Sequence, residues 1–184
     1  MSGPAQESST AARELRVGWD EYYRLIEQLA LLVHRSGYAF DSLLCLARGG
    51  LRAGDVLSRI FEKPLGVLTV SSYRDAGGTQ RGELRIAGAI SALEAAPAGR
   101  VLLVDDLADS GITLDGVVRY LRERYTQITE LRTAVLWMKG CSRYRPDYYV
   151  SFLPDSPWIH QPFERYDQLR PEQLEDPDDP GRRR

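Results

Sequence analysis

One run, Val101 to Thr113, restricts the fold more than any other part of the chain. It reads Val-Leu-Leu-Val-Asp-Asp-Leu-Ala-Asp-Ser-Gly-Ile-Thr. Four apolar residues, too short and too β-branched a set for a helix, predict a buried strand. Asp105 and Asp106 then emerge at its carboxyl end, where open α/β sheets place their ligands. Asp109-Ser110-Gly111-Ile112-Thr113 predicts a turn rich in small polar groups. Behind it, Leu114, Val117, Val118 and Leu121 repeat at helical spacing. The free N–H groups and positive dipole end of such a helix attract a phosphate, and Ser110 and Thr113 add hydroxyl donors. The acidic pair cannot hold a phosphate. It suits sugar hydroxyls, or a hard cation that itself bridges to phosphates. A turn of this kind also carries Asp and Ser merely as caps, but two adjacent carboxylates at a strand end need a further reason to be there.

The chain has 184 residues, the size of one domain with a single core. Its net charge of −2 argues against a general nucleic-acid binder and leaves a local basic patch open. Cys45 lies in an apolar run and Cys141 in a turn. Two cysteines so placed make neither a disulfide framework nor a zinc spacing, which points to a reducing, cytoplasmic setting. No apolar run approaches membrane-spanning length, and Met1 to Thr10 lacks the apolar core of a signal peptide. Residues 1–14 are small and polar and are expected to form a loose tail. Residues 168–184, acidic and proline-rich and ending in Arg182-Arg183-Arg184, are expected to form another, leaving one domain over 15–167.

Taken in order, Trp19-Asp20 opens a helix with Asp20 as its N-cap. Tyr22, Leu25, Ile26, Leu29, Leu32 and Val33 form its apolar face, and Gly37 stops it. Leu43 to Ala47 predicts a strand, Arg48-Gly49-Gly50 a turn, and Leu51, Val56, Leu57 and Ile60 a second helical face. The two glycines let backbone approach a ligand closely and Arg48 offers a fork to phosphate oxygens; a tight turn with a solvated arginine is the alternative. Leu65 to Val70 is a third strand. The polar stretch Arg74 to Glu83 reads either as a disordered surface loop or as a lid whose Arg81 or Arg74 reaches a pyrophosphate. Leu84 to Ile90 suggests a strand under it, and Pro97-Ala98-Gly99 a turn. Leu131 to Met138 is a buried strand with Lys139 at its end, on the side of Asp105 and Asp109 if the strands run parallel. Lys139 is then either a surface lysine or a donor to a ring oxygen. Asp147 to Phe152 is the last expected strand. Trp158-Ile159 follows Pro154-Asp155-Ser156-Pro157, a loop too proline-rich for regular structure, where Trp158 packs on its own chain or stacks on a ligand.

The run of two aspartates, then Asp-Ser-Gly, then Thr, resembles the 5-phosphoribosyl-1-pyrophosphate (PRPP) motif of type I phosphoribosyltransferases. From Trp19-Asp20 to about Phe163 the chain is most similar to the bacterial xanthine-guanine (6-oxopurine) enzymes of that family. The likeness rests also on Ala47-Arg48-Gly49-Gly50, on Ser71-Ser72-Tyr73 with Gln80-Arg81, on Leu136-Trp137-Met138-Lys139, and on Trp158-Ile159 with Gln161-Pro162. It implies an α/β, Rossmann-like parallel-sheet core with a small hood and a flexible lid loop. The implied activity is transfer of phosphoribosyl from PRPP to N9 of guanine, xanthine or hypoxanthine. Arg48, Gly49 and Arg81 would bind pyrophosphate, with a cis peptide at Ala47–Arg48. Asp105 and Asp106 would hold the ribose diol, Asp106 would join the shell of a Mg²⁺, and Ser110, Gly111, Ile112 and Thr113 would cradle the 5′-phosphate. Asp109 would manage the purine proton at N7, Lys139 would meet O6, Trp158 would stack on the base and Ile159 would contact its 2-position. The family suggests a homodimer or homotetramer with small-molecule partners and no membrane. A PRPP-sensing nucleic-acid-binding regulator on the same fold is the alternative; it needs a basic face, and no strong cluster precedes the C-terminal arginines. Two departures stand out: Ile112 replaces a glycine, and His160 replaces a glutamate.

Overall fold

The structure is a computed structural model that describes residues 14–74, 81–91 and 96–174, with the side chains of 72–74 and 81–84 excepted. The elements are β1 (Glu14–Arg16), α1 (Trp19–Arg35), β2 (Ser42–Ala47), α2 (Leu51–Phe61), β3 (Leu65–Arg74), β4 (Arg81–Ile86), β5 (Gly99–Val104), β6 (Leu107–Ala108), α3 (Ile112–Arg124), β7 (Ile128–Lys139), β8 (Tyr148–Leu153), β9 (Trp158–His160) and α4 (Arg165–Gln168), with a 3-10 turn at Pro171–Gln173. The main sheet runs β4, β3, β2, β5, β7, β8, and β6 continues the β5 edge along β7. Every pairing in it is parallel except β3 with β4.

Both faces of this sheet are covered, which explains the continuous apolar runs. Side chains of alternate parity leave a strand on opposite faces. Leu43, Cys45, Leu102, Val104, Ala134 and Leu136 pack with Tyr22, Ile26, Leu29 and Val33 of α1 and Ala53 and Leu57 of α2. Leu44, Leu46, Val101, Leu103 and Val135 pack with Leu114, Val117, Val118 and Leu121 of α3. Neither parity meets water, so both read as apolar except where a partner is at hand, as for Thr133, whose hydroxyl donates to Asp147. Parallel strands joined by crossovers bring the carboxyl ends of β2, β5 and β7 to one edge, and with them Arg48, Asp105 and Lys139.

Several expectations need correction. Gly18 is the N-cap of α1, and Asp20 lies inside its first turn, where its charge still suits the dipole. Leu32 is 39% exposed and lies off the apolar face. The third strand does not stop at Val70 but runs to Arg74, and its partner spans Arg81–Ile86 rather than Leu84 to Ile90, with Arg74 opposite Arg81. Both arms of the expected lid are therefore an antiparallel ribbon, because polar residues make ladder hydrogen bonds as well as apolar ones. The loop between them, 75–80, lies outside the described residues.

The largest departure concerns the proline-rich segment. Trp158–His160 is a strand, β9, and it pairs in parallel with β1, Glu14 opposite Trp158 and Arg16 opposite His160. Asp147 to Phe152 is accordingly not the last strand, and Glu14 belongs to a strand instead of a tail. The start of the second tail is also structured, since Gln168 ends α4 and a 3-10 turn follows. The expected tails over 1–13 and 175–184 lie outside the described residues. No helix among the described residues is long and apolar enough to cross a membrane.

Candidate active site

The β2–α2 turn is shaped by what approaches it. The Ala47–Arg48 peptide is cis. A Cβ on Gly49 would collide with the Asp106 carboxylate, and one on Gly50 would lie 2.5 Å from the Val104 carbonyl oxygen. Only glycine allows this turn to sit against the end of β5. Arg48 projects outward with its side chain 85% exposed, and its Nη2 lies 3.7 Å from Asp167 Oδ1.

The acidic pair fills the gap between β5 and β6. Asp105 N–H donates to the Ala134 carbonyl at 3.1 Å, and the Asp106 carbonyl accepts from Leu136 and Trp137 N–H at 3.0 and 3.2 Å. Backbone groups of the pair are thus fixed to β7. Asp105 Oδ1 accepts the Asp106 N–H at 3.0 Å. Burial and the neighbouring Asp106 charge hold the Asp105 carboxyl well above the usual carboxylate range. Tyr22 of α1 is fully buried with its hydroxyl unpartnered, and burial, then the charges of Asp106 and Asp105, push its phenol above its ordinary range. Gln161, 8% exposed, donates from Nε2 to Asp106 Oδ2 at 2.5 Å.

The following turn opens α3. Gly111 has φ +76°, and a Cβ there would lie 2.5 Å from Tyr144 N and 2.6 Å from Ser142 Oγ. The turn is pinned from the β7–β8 loop, where Arg143 N–H donates to the Ser110 carbonyl at 3.0 Å. Ser110 Oγ lies 3.5 Å from Ile112 N, and Thr113 sits in the first helical turn, whose N–H groups have no intrahelical acceptor. Ile112 begins the helix with its side chain 40% exposed, so isoleucine in place of glycine needs no room in the core.

Lys139 is not a surface residue. It is 6% exposed, its Nζ lies 3.1 Å from Asp109 Oδ1, and the same Nζ is 5.9 Å from the centroid of the Trp158 ring. Trp158 is 54% exposed, whereas Ile159 beside it is buried. Cys141 Sγ approaches the Asp109 carbonyl at 3.5 Å and Oδ1 at 3.8 Å. One carboxylate, one buried ammonium and one open indole therefore meet at this edge. Arg81 opens β4, and its side chain is not among those described. His160, the departure from the family's glutamate, sits between β1 and the start of α4: its Nε2 lies 3.3 Å from Glu14 Oε2 and its Nδ1 4.0 Å from Glu164 Oε2.

Sequence reasoning missed three residues here. Tyr22 reads as core on α1, and nothing in its spacing reveals the carboxylates above it. Arg52, on α2, lays its guanidinium 3.9 Å from the Phe163 ring centroid and 5.9 Å from that of Trp19, tying α2 to the segment after β9. Gln161 was visible only as part of the resemblance to the hood.

A doubly covered parallel sheet with a glycine turn, an acidic pair and a helix N-terminus along one edge defines an α/β protein built to hold an anionic ligand at its strand ends. The chain belongs to the phosphoribosyl transferase domain family, which matches residues 18–168, and it is a phosphoribosyltransferase. It is 24% identical over 170 residues to the xanthine-guanine phosphoribosyltransferase of Roseobacter denitrificans, covering 89% of this chain and 93% of that protein. The crystal structure of a purine phosphoribosyltransferase from Pyrococcus horikoshii superposes with a TM-score of 0.68 at 29% identity, over 82% of this chain and 93% of that one. The Helicobacter pylori xanthine-guanine-hypoxanthine phosphoribosyltransferase shares the fold with the same TM-score of 0.68, at 20% identity over 84% and 96%.

Proposed function

We propose that the protein transfers the phosphoribosyl group of PRPP to N9 of a 6-oxopurine, guanine, xanthine or hypoxanthine, and releases pyrophosphate with the nucleoside monophosphate. The observation that carries this reading is the buried Lys139 at the end of β7, 3.1 Å from Asp109 and facing the open Trp158 ring. An ammonium there is a fixed donor, and a 6-oxopurine offers it O6.

During transfer the C1–O bond to pyrophosphate breaks as the bond from N9 to C1 forms, and positive charge builds on the ribose as in glycosyl transfer. Asp105 and Asp106 hold the ribose diol beside that charge. Ser110, Gly111, Ile112 and Thr113 cradle the 5′-phosphate at the start of α3. Arg48, Arg81 and the Gly49 backbone take the charge that develops on the leaving pyrophosphate. Asp109 takes up the purine proton near N7, and its pairing with Lys139 fixes its orientation. Trp158 stacks on the base while Ile159 lies at its 2-position.

Among the described residues no three His, Cys, Asp or Glu side chains form a metal cage. Two adjacent carboxylates at a strand end do suit a hard, oxygen-seeking ion such as Mg²⁺. Asp106 would hold that ion, which supplies charge neutralisation for the departing pyrophosphate. The same reading makes the expected domain over 15–167, extended to Glu14 and through the 3-10 turn at Pro171–Gln173, the catalytic domain of a cytoplasmic homodimer or homotetramer.

The test is product formation from PRPP and Mg²⁺ with guanine, xanthine, hypoxanthine, adenine and uracil in turn. Monophosphate from at least one 6-oxopurine and none from uracil is expected. Turnover of uracil alone, or of no base, contradicts the proposal.

A further inference from the structure

Gln161 follows β9 directly, and its side chain crosses from the hood to the sugar end of the site. Its Nε2 donates to Asp106 Oδ2, while its Oε1 is buried with no hydrogen-bond partner among the described residues. The amide has one acceptable orientation, because turning it would set a carbonyl oxygen against a carboxylate oxygen. Burying an unpaired carbonyl costs stability, so this arrangement is held against a penalty. On the opposite side the Asp106 carboxylate rests on Gly49, where no Cβ fits. Asp106 is therefore clamped between the β2–α2 turn and the hood. Trp158 and Ile159 lie in the strand that Gln161 leaves.

We infer that Gln161 is a positioning residue for Asp106: it aims the carboxylate at the sugar and diphosphate and makes the placement of the base-binding strand a condition for holding PRPP. The inference rests on the proposed transfer reaction for what Asp106 binds. It assigns Gln161 no contact with substrate.

The test compares Gln161→Leu, Gln161→Asn and Gln161→Glu with the wild type. KM values for PRPP and purine, kcat, Tm, and the calorimetric Kd for PRPP with Mg²⁺ are measured for each. Gln161→Leu removes one charge-assisted hydrogen bond, and Gln161→Asn is one methylene too short to make it. Both should raise the PRPP KM and Kd about tenfold, with the purine KM within about twofold and Tm nearly unchanged. Gln161→Glu sets two carboxylates face to face in place of the hydrogen bond, so its PRPP affinity should fall further than that of Gln161→Leu. Unchanged PRPP affinity in all three variants overturns the inference, as does a parallel loss of Tm, kcat and both KM values. A wild type that binds PRPP without turning over any base sinks the reaction and leaves the role of Gln161 to the calorimetric comparison. A wild type that binds no PRPP overturns both.

Discussion

Lys139 is 6% exposed and its Nζ lies 3.1 Å from Asp109 Oδ1, and burying an ammonium without such a partner is costly. The pairing leaves the other ammonium protons for a base. Asp109 is mostly exposed, so it remains open to a purine approaching over Trp158. Replacing Asp109 by Asn keeps the shape and an oxygen for Lys139 but removes the proton acceptor. PRPP affinity should hold while turnover falls roughly 10²- to 10⁴-fold, read from kcat and the PRPP Kd of the variant. Unchanged turnover would take Asp109 out of proton transfer. At this scale both Lys139 and the aspartates were legible in the sequence, since each ends or follows an apolar strand and its position follows from the strand's direction. Gln161 and Tyr22 were not. Their chemistry depends on a carboxylate far away in the chain, which no local pattern reports.

The β2–α2 turn and the hood differ in how far local sequence determines them. Arg48-Gly49-Gly50 sits between an apolar run and a helical repeat, so its place at the sheet edge was readable. Its reason for two glycines became plain only with Asp106 and Val104 packed against them. A methyl group at Gly49 must displace the Asp106 carboxylate from its bond to Gln161. Gly49→Ala should therefore raise the PRPP KM at least about tenfold with little change in purine KM, and an unaltered PRPP KM would show that the turn and the acid are uncoupled. The hood could not be read locally. β1 and β9 have three residues each, too few for periodicity, and they come from opposite ends of the domain. Their pairing holds the strand whose Trp158 ring centroid lies 5.9 Å from Lys139 Nζ. Base–aromatic stacking is worth about 1–3 kcal/mol, so Trp158→Ala should raise the purine KM roughly tenfold or more while sparing the PRPP KM. Steady-state kinetics with each substrate varied in turn separates the two.

At the scale of the whole molecule, the acidic pair after β5 makes stability depend on pH. Asp105 is held above its ordinary range by burial and by Asp106. The folded state therefore binds a proton that the unfolded state has already released over a span of pH. Stability is full below the ordinary carboxylate range, declines as pH rises through it toward the folded-state pKa, and is level above that. Asp105→Asn preserves the acceptor for the Asp106 N–H and removes this slope. Its Tm without substrate should exceed that of the wild type at pH 7, by about 2–4 °C for each kcal/mol recovered, and the two should converge in acid. A variant less stable at pH 7 would show that Asp105 is not a strained charge. The fold class was readable because both sheet faces are covered, which writes the middle of each central strand as an apolar run, as in Leu43–Leu46, Val101–Val104 and Ala134–Met138. The proposed reaction rests on one discrimination at the same sheet edge: in that reading Lys139 meets an acceptor in a 6-oxopurine and another donor in adenine. Sites built on a buried hydrogen-bonding group reject the wrong partner by roughly 10⁴-fold. The kcat/KM for guanine over adenine, measured in the wild type and in Lys139→Gln, tests this most directly. A wild-type ratio above about 10³ that collapses in the variant is the expected result, and a wild type that makes AMP as fast as GMP would contradict it.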